Sequence, residues 1–286
     1  MKKLSLLLIL AFVSIGLIAC GADDELPDVE NEAEDAPADE GEEISEDVED
    51  RDTLIMATSA DFPPFESRNT DGDIVGFDID LAHHIADELG YELEIRDMSF
   101  DGLIGALQSD RADMVLSGMS ATDDRRENVD FSVEYHRSGE MFITRQDSGI
   151  EEIDDIEGTT VGVQLGTIQQ EGAEALQEDY DFEISALDDA QALIQELLSN
   201  RIDVVYLDRA VATGFIESQD LEGFDDPTRV SPGMAVAFPK GSDLVDDVDA
   251  VIEEALESGF IDELEDEWLS DLDEEAEEEV EEFEEE

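Results

Sequence analysis

The chain has 286 residues, of which 83 are acidic and 14 basic, for a formal net charge of −69. That charge excludes a nucleic-acid-binding surface and argues against docking on an anionic membrane, while a hydrophobic content of 41% supplies a core for one or two domains. One cysteine in the chain leaves no internal disulfide.

Met1-Lys2-Lys3 is a basic start, and Leu4 to Ile18 is a mostly apolar run, shorter than the ~20 residues a membrane span usually needs. It closes on Leu17-Ile18-Ala19-Cys20-Gly21, which resembles the lipobox of bacterial lipoproteins. The resemblance implies a signal peptide over 1–19 and a lipid-bearing Cys20 as the mature N-terminus. Residues 20–51 are mainly Asp, Glu, Ala and Pro, too poor in large apolar side chains to order themselves, and read as a flexible acidic tether. The tail over 271–286 is mostly Glu and reads as hydrated and disordered. With no second transmembrane stretch, the protein is expected outside the cytoplasmic membrane, anchored by lipid.

Between the two acidic ends, strands and helices alternate. Leu54 to Ala57 reads as a short strand. Phe77, Ile79, Leu81, Ala82, Ile85, Ala86 and Leu89 form a helical stripe that Gly90 stops. Tyr91, Leu93 and Ile95 alternate as a strand, Phe100 to Gln108 reads as a helix, and Met114 opens a buried strand. A second unit starts at Thr160-Val161-Gly162-Val163-Gln164. There Leu165-Gly166-Thr167 turns into a helix, Phe182 to Leu187 is a strand, Asp188 caps a helix to about Leu198, and Ile202 to Leu207 is a strand. This alternation predicts an α/β fold with mostly parallel sheets.

The two units echo one another. Ser109-Asp110-Arg111-Ala112-Asp113-Met114-Val115 matches Ser199-Asn200-Arg201-Ile202-Asp203-Val204-Val205, and both are helix ends feeding a strand. The first strand delivers Ser117-Gly118-Met119-Ser120, then Thr122 as a helix cap and Arg125 in the first turn; the second delivers Asp208. A guanidinium at the positive end of a helix, beside small hydroxyls and backbone N–H groups, suits an anion such as a carboxylate; an exposed Arg on a surface turn is the competing reading. Asp208 serves equally as the cap of the helix opening at Arg209. Ligands of open α/β sheets bind at the carboxyl ends of strands, so Arg125 and Asp208 are expected on opposite walls of a cleft. Together they suit the two ends of a zwitterion. Ser59-Ala60-Asp61-Phe62-Pro63-Pro64-Phe65-Glu66 offers Phe62 as one aromatic wall and Phe100 offers a second, with Phe65 expected in the core.

Seven motifs in fixed order identify the chain as similar to the amino-acid-binding family of solute-binding proteins from ABC importers, the bacterial extracellular solute-binding protein family 3. They are Asp61–Glu66, Gly76-Phe77-Asp78-Ile79-Asp80-Leu81, Phe100-Asp101-Gly102-Leu103-Ile104, Ser117 through Arg125, Val161-Gly162-Val163 with Gly166-Thr167, Leu207-Asp208, and Ala237 through Ser242. The resemblance implies a two-lobed periplasmic-binding-protein-like fold of type II, each lobe a mixed sheet flanked by helices, joined by two hinge strands. Lobe 1 would take 52–140 plus 232–270 and lobe 2 would take 141–231. It implies that Arg125 holds the ligand carboxylate with Ser120, Ser117, the Gly118 backbone and Thr167, that Asp208 holds the ammonium, and that Phe62 and Phe100 sandwich the side chain. Asp78 and Gln169 are expected near the distal end. Ser59 replaces an Asp common among relatives that bind basic ligands, with Asp61 close enough to compensate. At Ile168, where relatives often have a hydroxyl or Gly, only backbone contact is expected.

These implications predict a non-enzymatic, monomeric carrier that captures a polar or basic L-amino acid and hands it to an ABC permease, with no cofactor. An amino-acid-sensing domain is the alternative. A dehydratase-like enzyme on the same fold would need Asp61 or Asp78 as acid or base. His83 and His84 are adjacent and His136 stands apart, so no metal cluster is expected.

Acid excess with only Lys2, Lys3 and Lys240 as lysines fits a protein adapted to high salt, where dense carboxylates stay hydrated and their repulsion is screened; an alkaline habitat is the competing origin. The melting temperature is therefore expected to rise steeply from dilute buffer to molar salt, and equal melting temperatures in the two would contradict the reading.

Overall fold

The computed structural model describes residues 53–269; the expected signal peptide, Cys20, the tether and the acidic tail lie outside the described residues. The first strand, β1 (Thr53–Thr58), alternates half-buried and buried positions before a fully buried end. A small three-stranded meander follows, formed by β2 (Asp61–Phe62), β3 (Glu66–Arg68) and β4 (Ile74–Val75). Helix α1 (Phe77–Leu89) has the bounds its apolar stripe predicts. Gly76 precedes it at φ 141°, where an added Cβ would lie 2.2 Å from the Phe65 carbonyl oxygen, so only glycine fits. Gly90 ends it in the left-handed conformation.

Strand β5 (Glu92–Asp97) comes next. The helix expected over 100–108 divides into a 3-10 turn, Phe100–Gly102, and α2 (Leu103–Gln108). Then come β6 (Met114–Val115), the single-turn α3 (Asp123–Arg126) and β7 (Asp130–His136). The chain crosses to a second sheet at β8 (Glu140–Arg145), and continues through β9 (Thr160–Gln164), α4 (Ile168–Leu176) and β10 (Glu183–Leu187). Helix α5 (Ala190–Leu198) is capped by Asp189, whose side chain accepts from Ala192 N–H, and not by the Asp188 that the sequence suggested. Asp188 lies one residue too early for that bond. The second unit ends with β11 (Val204–Asp208), α6 (Arg209–Gln219) and β12 (Leu221–Asp225). The chain then returns as β13 (Met234–Phe238) and closes with α7 (Leu244–Ser258) and α8 (Phe260–Trp268).

The two large sheets have the same plan. The first runs β5-β1-β6-β13-β7 and the second β10-β9-β11-β8-β12. In each, four strands run the same way and one, β13 or β8, runs opposite, pairing antiparallel with the strand on either side of it. The fold is thus the two-lobed, type II arrangement, with helices flanking both mixed sheets.

The internal echo is structural. Asp110 and Asn200 both take positive φ, 54° and 58°, to end the preceding helix. Three residues later, Asp113 Oδ2 accepts from Ile55 N–H at 2.9 Å and Asp203 Oδ2 accepts from Thr160 N–H at 3.0 Å. Each aspartate pins its strand in register on the sheet's first strand. Buried apolar side chains on both faces, Met56, Leu81 and Phe238 among them in the first lobe and Phe142, Val163 and Tyr206 in the second, hold the sheets rigid behind their ligand-side ends.

Candidate functional site

The carboxyl ends of the two sheets face one another across a narrow cavity. The first lobe lines it with Asp61, Phe62, Phe100, Gly118, Ser120, Arg125 and Met234; the second lines it with Gln164, Thr167, Ile168, Gln169 and Asp208. Nine of the twelve residues singled out from the sequence therefore meet in one place. Ile168 also lines the wall.

Arg125 owes its place to α3. Thr122 caps that turn, its hydroxyl accepting from Arg125 N–H at 3.2 Å, as the sequence predicts. The guanidinium is 7% exposed, so the surface-turn reading fails. Nη1 donates to the Ser120 carbonyl at 2.8 Å and Nη2 donates across the cleft to the Gly166 carbonyl at 3.0 Å. Its carbon lies 5.3 Å from the centre of the Phe100 ring, so Phe100 carries the cation as well as walling the cavity. Burial draws the Arg125 pKa down to about 10, and Glu171 acts on it only as a longer-range charge. Among the described residues, no carboxylate forms an ion pair with it.

Asp208 ends β11 and caps α6, so both of its readings hold together. Oδ1 accepts from Ala210 N–H and from the Ser138 hydroxyl, each at 2.9 Å. Burial, reinforced by the nearby Glu140 charge, raises its pKa to about 7. Its bonded partners are neutral. A buried cation and a buried anion thus face one cavity from opposite lobes without satisfying each other.

Four of the expected site residues act behind the walls or depart from their expected role. Asp78, placed near the distal end by resemblance, lies fully buried beneath the floor, where Oδ2 accepts from Gly118 N–H at 2.7 Å and the Tyr135 hydroxyl donates to Oδ1 at 2.8 Å. The Gly118 amide is consequently spent, and a ligand carboxylate cannot take it. Ser117 is also fully buried, donating to Glu66 Oε1 at 2.7 Å and accepting from Ser59 N–H at 3.1 Å. The Ser59 hydroxyl donates to Asp61 Oδ1 at 2.9 Å. Burial and the Asp78 charge push the Glu66 carboxyl well up.

Thr167 caps α4, its hydroxyl accepting from Gln170 N–H at 3.2 Å and donating to the Gln164 carbonyl at 2.7 Å. Gln169 Nε2 donates to Glu140 Oε2 at 2.6 Å, and burial raises the Glu140 pKa to about 7. Gln164, Met234 and Glu140 escaped the sequence reading. Gln164 carried a signal, as a polar residue ending an apolar strand; Met234 reaches the cavity only because a strand distant in sequence returns there.

Residues 54–271 match the family model described as bacterial extracellular solute-binding proteins, family 3. The chain is 38% identical over 273 residues to the arginine-binding extracellular protein ArtP of Bacillus subtilis, covering 94% of this chain and 99% of that protein. Its fold matches the crystal structure of a substrate binding protein of an amino acid ABC transporter with a TM-score of 0.72 at 39% identity, over 76% of this chain and 99% of the other. It also matches an ancestral amino-acid-binding protein, AncCDT-1, described as a precursor of cyclohexadienyl dehydratase, with a TM-score of 0.72 at 31% identity, over 77% and 96% of the two chains.

The buried acids beneath the floor predict a pH dependence of stability. Burial raises the Asp78 pKa from 3.8 to about 7, so between those values the unfolded chain releases a proton that the folded protein holds. This contribution to stability is complete below 3.8 and lost as pH rises through about 7. Asp78→Asn is expected to flatten the decline of melting temperature over that window, measured at constant high salt; an unchanged slope would contradict the assignment.

Proposed function

The chain belongs to family 3 of the bacterial extracellular solute-binding proteins, and from that premise we propose that it captures a polar or basic L-amino acid in the interlobe cavity and delivers it to an ABC permease. In this reading Arg125 holds the α-carboxylate with Ser120, Asp208 holds the α-ammonium, and Phe62 and Phe100 flank the side chain. The observation that carries it is the pair of desolvated, opposite charges on separate lobes, each with only neutral hydrogen-bond partners. A dipolar ligand satisfies both at once, and only with the lobes together, which ties binding to closure. The arginine named for the Bacillus subtilis relative supports a basic side chain. The Ser59 departure leaves no acid at the position that serves cationic ligands in many relatives.

The placement of the acids favours binding over catalysis. Asp78 lies under the floor rather than in the cavity, and both Asp61 oxygens are engaged by protein donors. The Cys20 motif supports a lipid anchor at the outer face of the membrane, and the charge of −69 supports work in concentrated salt.

Calorimetric titration with the common amino acids in concentrated salt tests the proposal. Binding of a polar or basic amino acid is expected in the wild type. Arg125→Ala is expected to weaken it at least about a hundredfold, because roughly 3 kcal/mol or more is lost when a buried charge loses its partner. Unchanged affinity in that variant would remove Arg125 from the site.

A further inference from the structure

We infer that Asp61 is a clasp that joins the two lobes, a positioning residue that raises affinity for every ligand alike and does not read the ligand's side chain. The inference rests on the amino-acid-binding reading above and adds to it how closure is held.

Asp61 lies on β2 of the first lobe and is 7% exposed. Its Oδ1 accepts from the Ser59 hydroxyl at 2.9 Å within the same lobe. Its Oδ2 accepts two hydrogen bonds from the other lobe, from Gln164 Nε2 at 3.0 Å and from Ala190 N–H at 2.8 Å. Ala190 is the first residue of α5, whose opening N–H groups have no partner within the helix. Asp189 fills one of these by capping Ala192 N–H at 2.7 Å, and Asp61 fills another from across the cleft. The charge on Asp61 strengthens both bonds and meets the favourable end of the helix dipole.

The same geometry argues against a role as partner of a cationic side chain. A carboxylate offers about four acceptor positions, and three of these are taken by protein donors. The bidentate pairing that makes a carboxylate selective for a guanidinium needs two. Asp61 lines the cavity, but its oxygens are committed to closing it.

A contact that exists only with the lobes together, made by oxygens already taken by protein donors, acts on the population of the closed form. It scales every apparent affinity by the same factor. The experiment compares Asp61→Ala with wild type by calorimetry, using arginine and its uncharged isostere citrulline in concentrated salt. It also follows lobe closure in the ligand-free proteins by fluorescence transfer between dyes placed on the two lobes. A common loss of about tenfold for both ligands is expected, together with a smaller closed fraction in the ligand-free variant. Gln164→Ala is expected to produce the same pattern, with the double variant showing less than the product of the two losses.

A loss for arginine that greatly exceeds the loss for citrulline would overturn the inference, as would an unchanged closed fraction in ligand-free Asp61→Ala. Where the wild type binds neither amino acid, the fluorescence comparison alone decides the clasp, and it is the amino-acid reading that fails. Each lobe keeps its own core in this variant, and matching melting curves in salt check that.

Discussion

Two charges that have no ionic partner among the described residues set the terms for the whole molecule. Arg125 and Asp208 are withdrawn from water by separate lobes and left with carbonyls, amides and a hydroxyl. Burying a charge without a counter-ion is costly, and the cost shows as a guanidinium drawn down to about 10 and a carboxyl raised to about 7. Neutral dipoles soften that cost without removing it. On the proposed reading, the ligand brings both missing charges on one rigid framework, so its binding relieves both lobes together. The rest of the architecture serves to hold each group rigidly on its own lobe and to let the lobes meet.

The polar network under the floor is part of that holding. Two hydrogen-bonded groups meet at the loop after β6: Ser117 is bonded to Ser59 N–H and Glu66, and Asp78, held by the Tyr135 hydroxyl, accepts from the Gly118 amide. None of these side chains lines the cavity. Their effect is to fix the backbone at Gly118, over which the Phe62 ring lies so closely that a Cβ would come within 3.2 Å of it. Two full carboxylate charges side by side there would repel, and burial holds both carboxyls above their usual range. The second lobe solves the matching problem with Glu140, which ties Gln169 to the returning hinge segment through Ser231.

Much of this was legible before any coordinates. The helix over Phe77–Leu89, the Thr122 cap, the helix opening after Gly166-Thr167 and the strand leading to Asp208 all followed from periodicity and capping chemistry, which are local. Nine residues of the cavity were also foreseen, because strand ends in α/β units and ordered motifs point to the same edge. What escaped depended on distance in the chain or on who takes each hydrogen bond. Ser117, Gly118 and Asp78 lie near the ligand gap in sequence terms, yet their polar groups are taken by protein partners, Ser117 by Glu66 and Gly118 by Asp78. Met234 arrives by a long return, and Asp189 replaces Asp188 as a cap through a one-residue difference that propensity does not resolve.

The paired aspartates at the strand entrances have a broader meaning. Asp113 and Asp203 each fasten a half's inner strand to that half's own leading strand. Changes that accumulate in one half therefore leave the alignment of the other undisturbed. A lineage built this way can alter its taste for solutes by drifting on one side alone, while the opposite side keeps its grip through the transition.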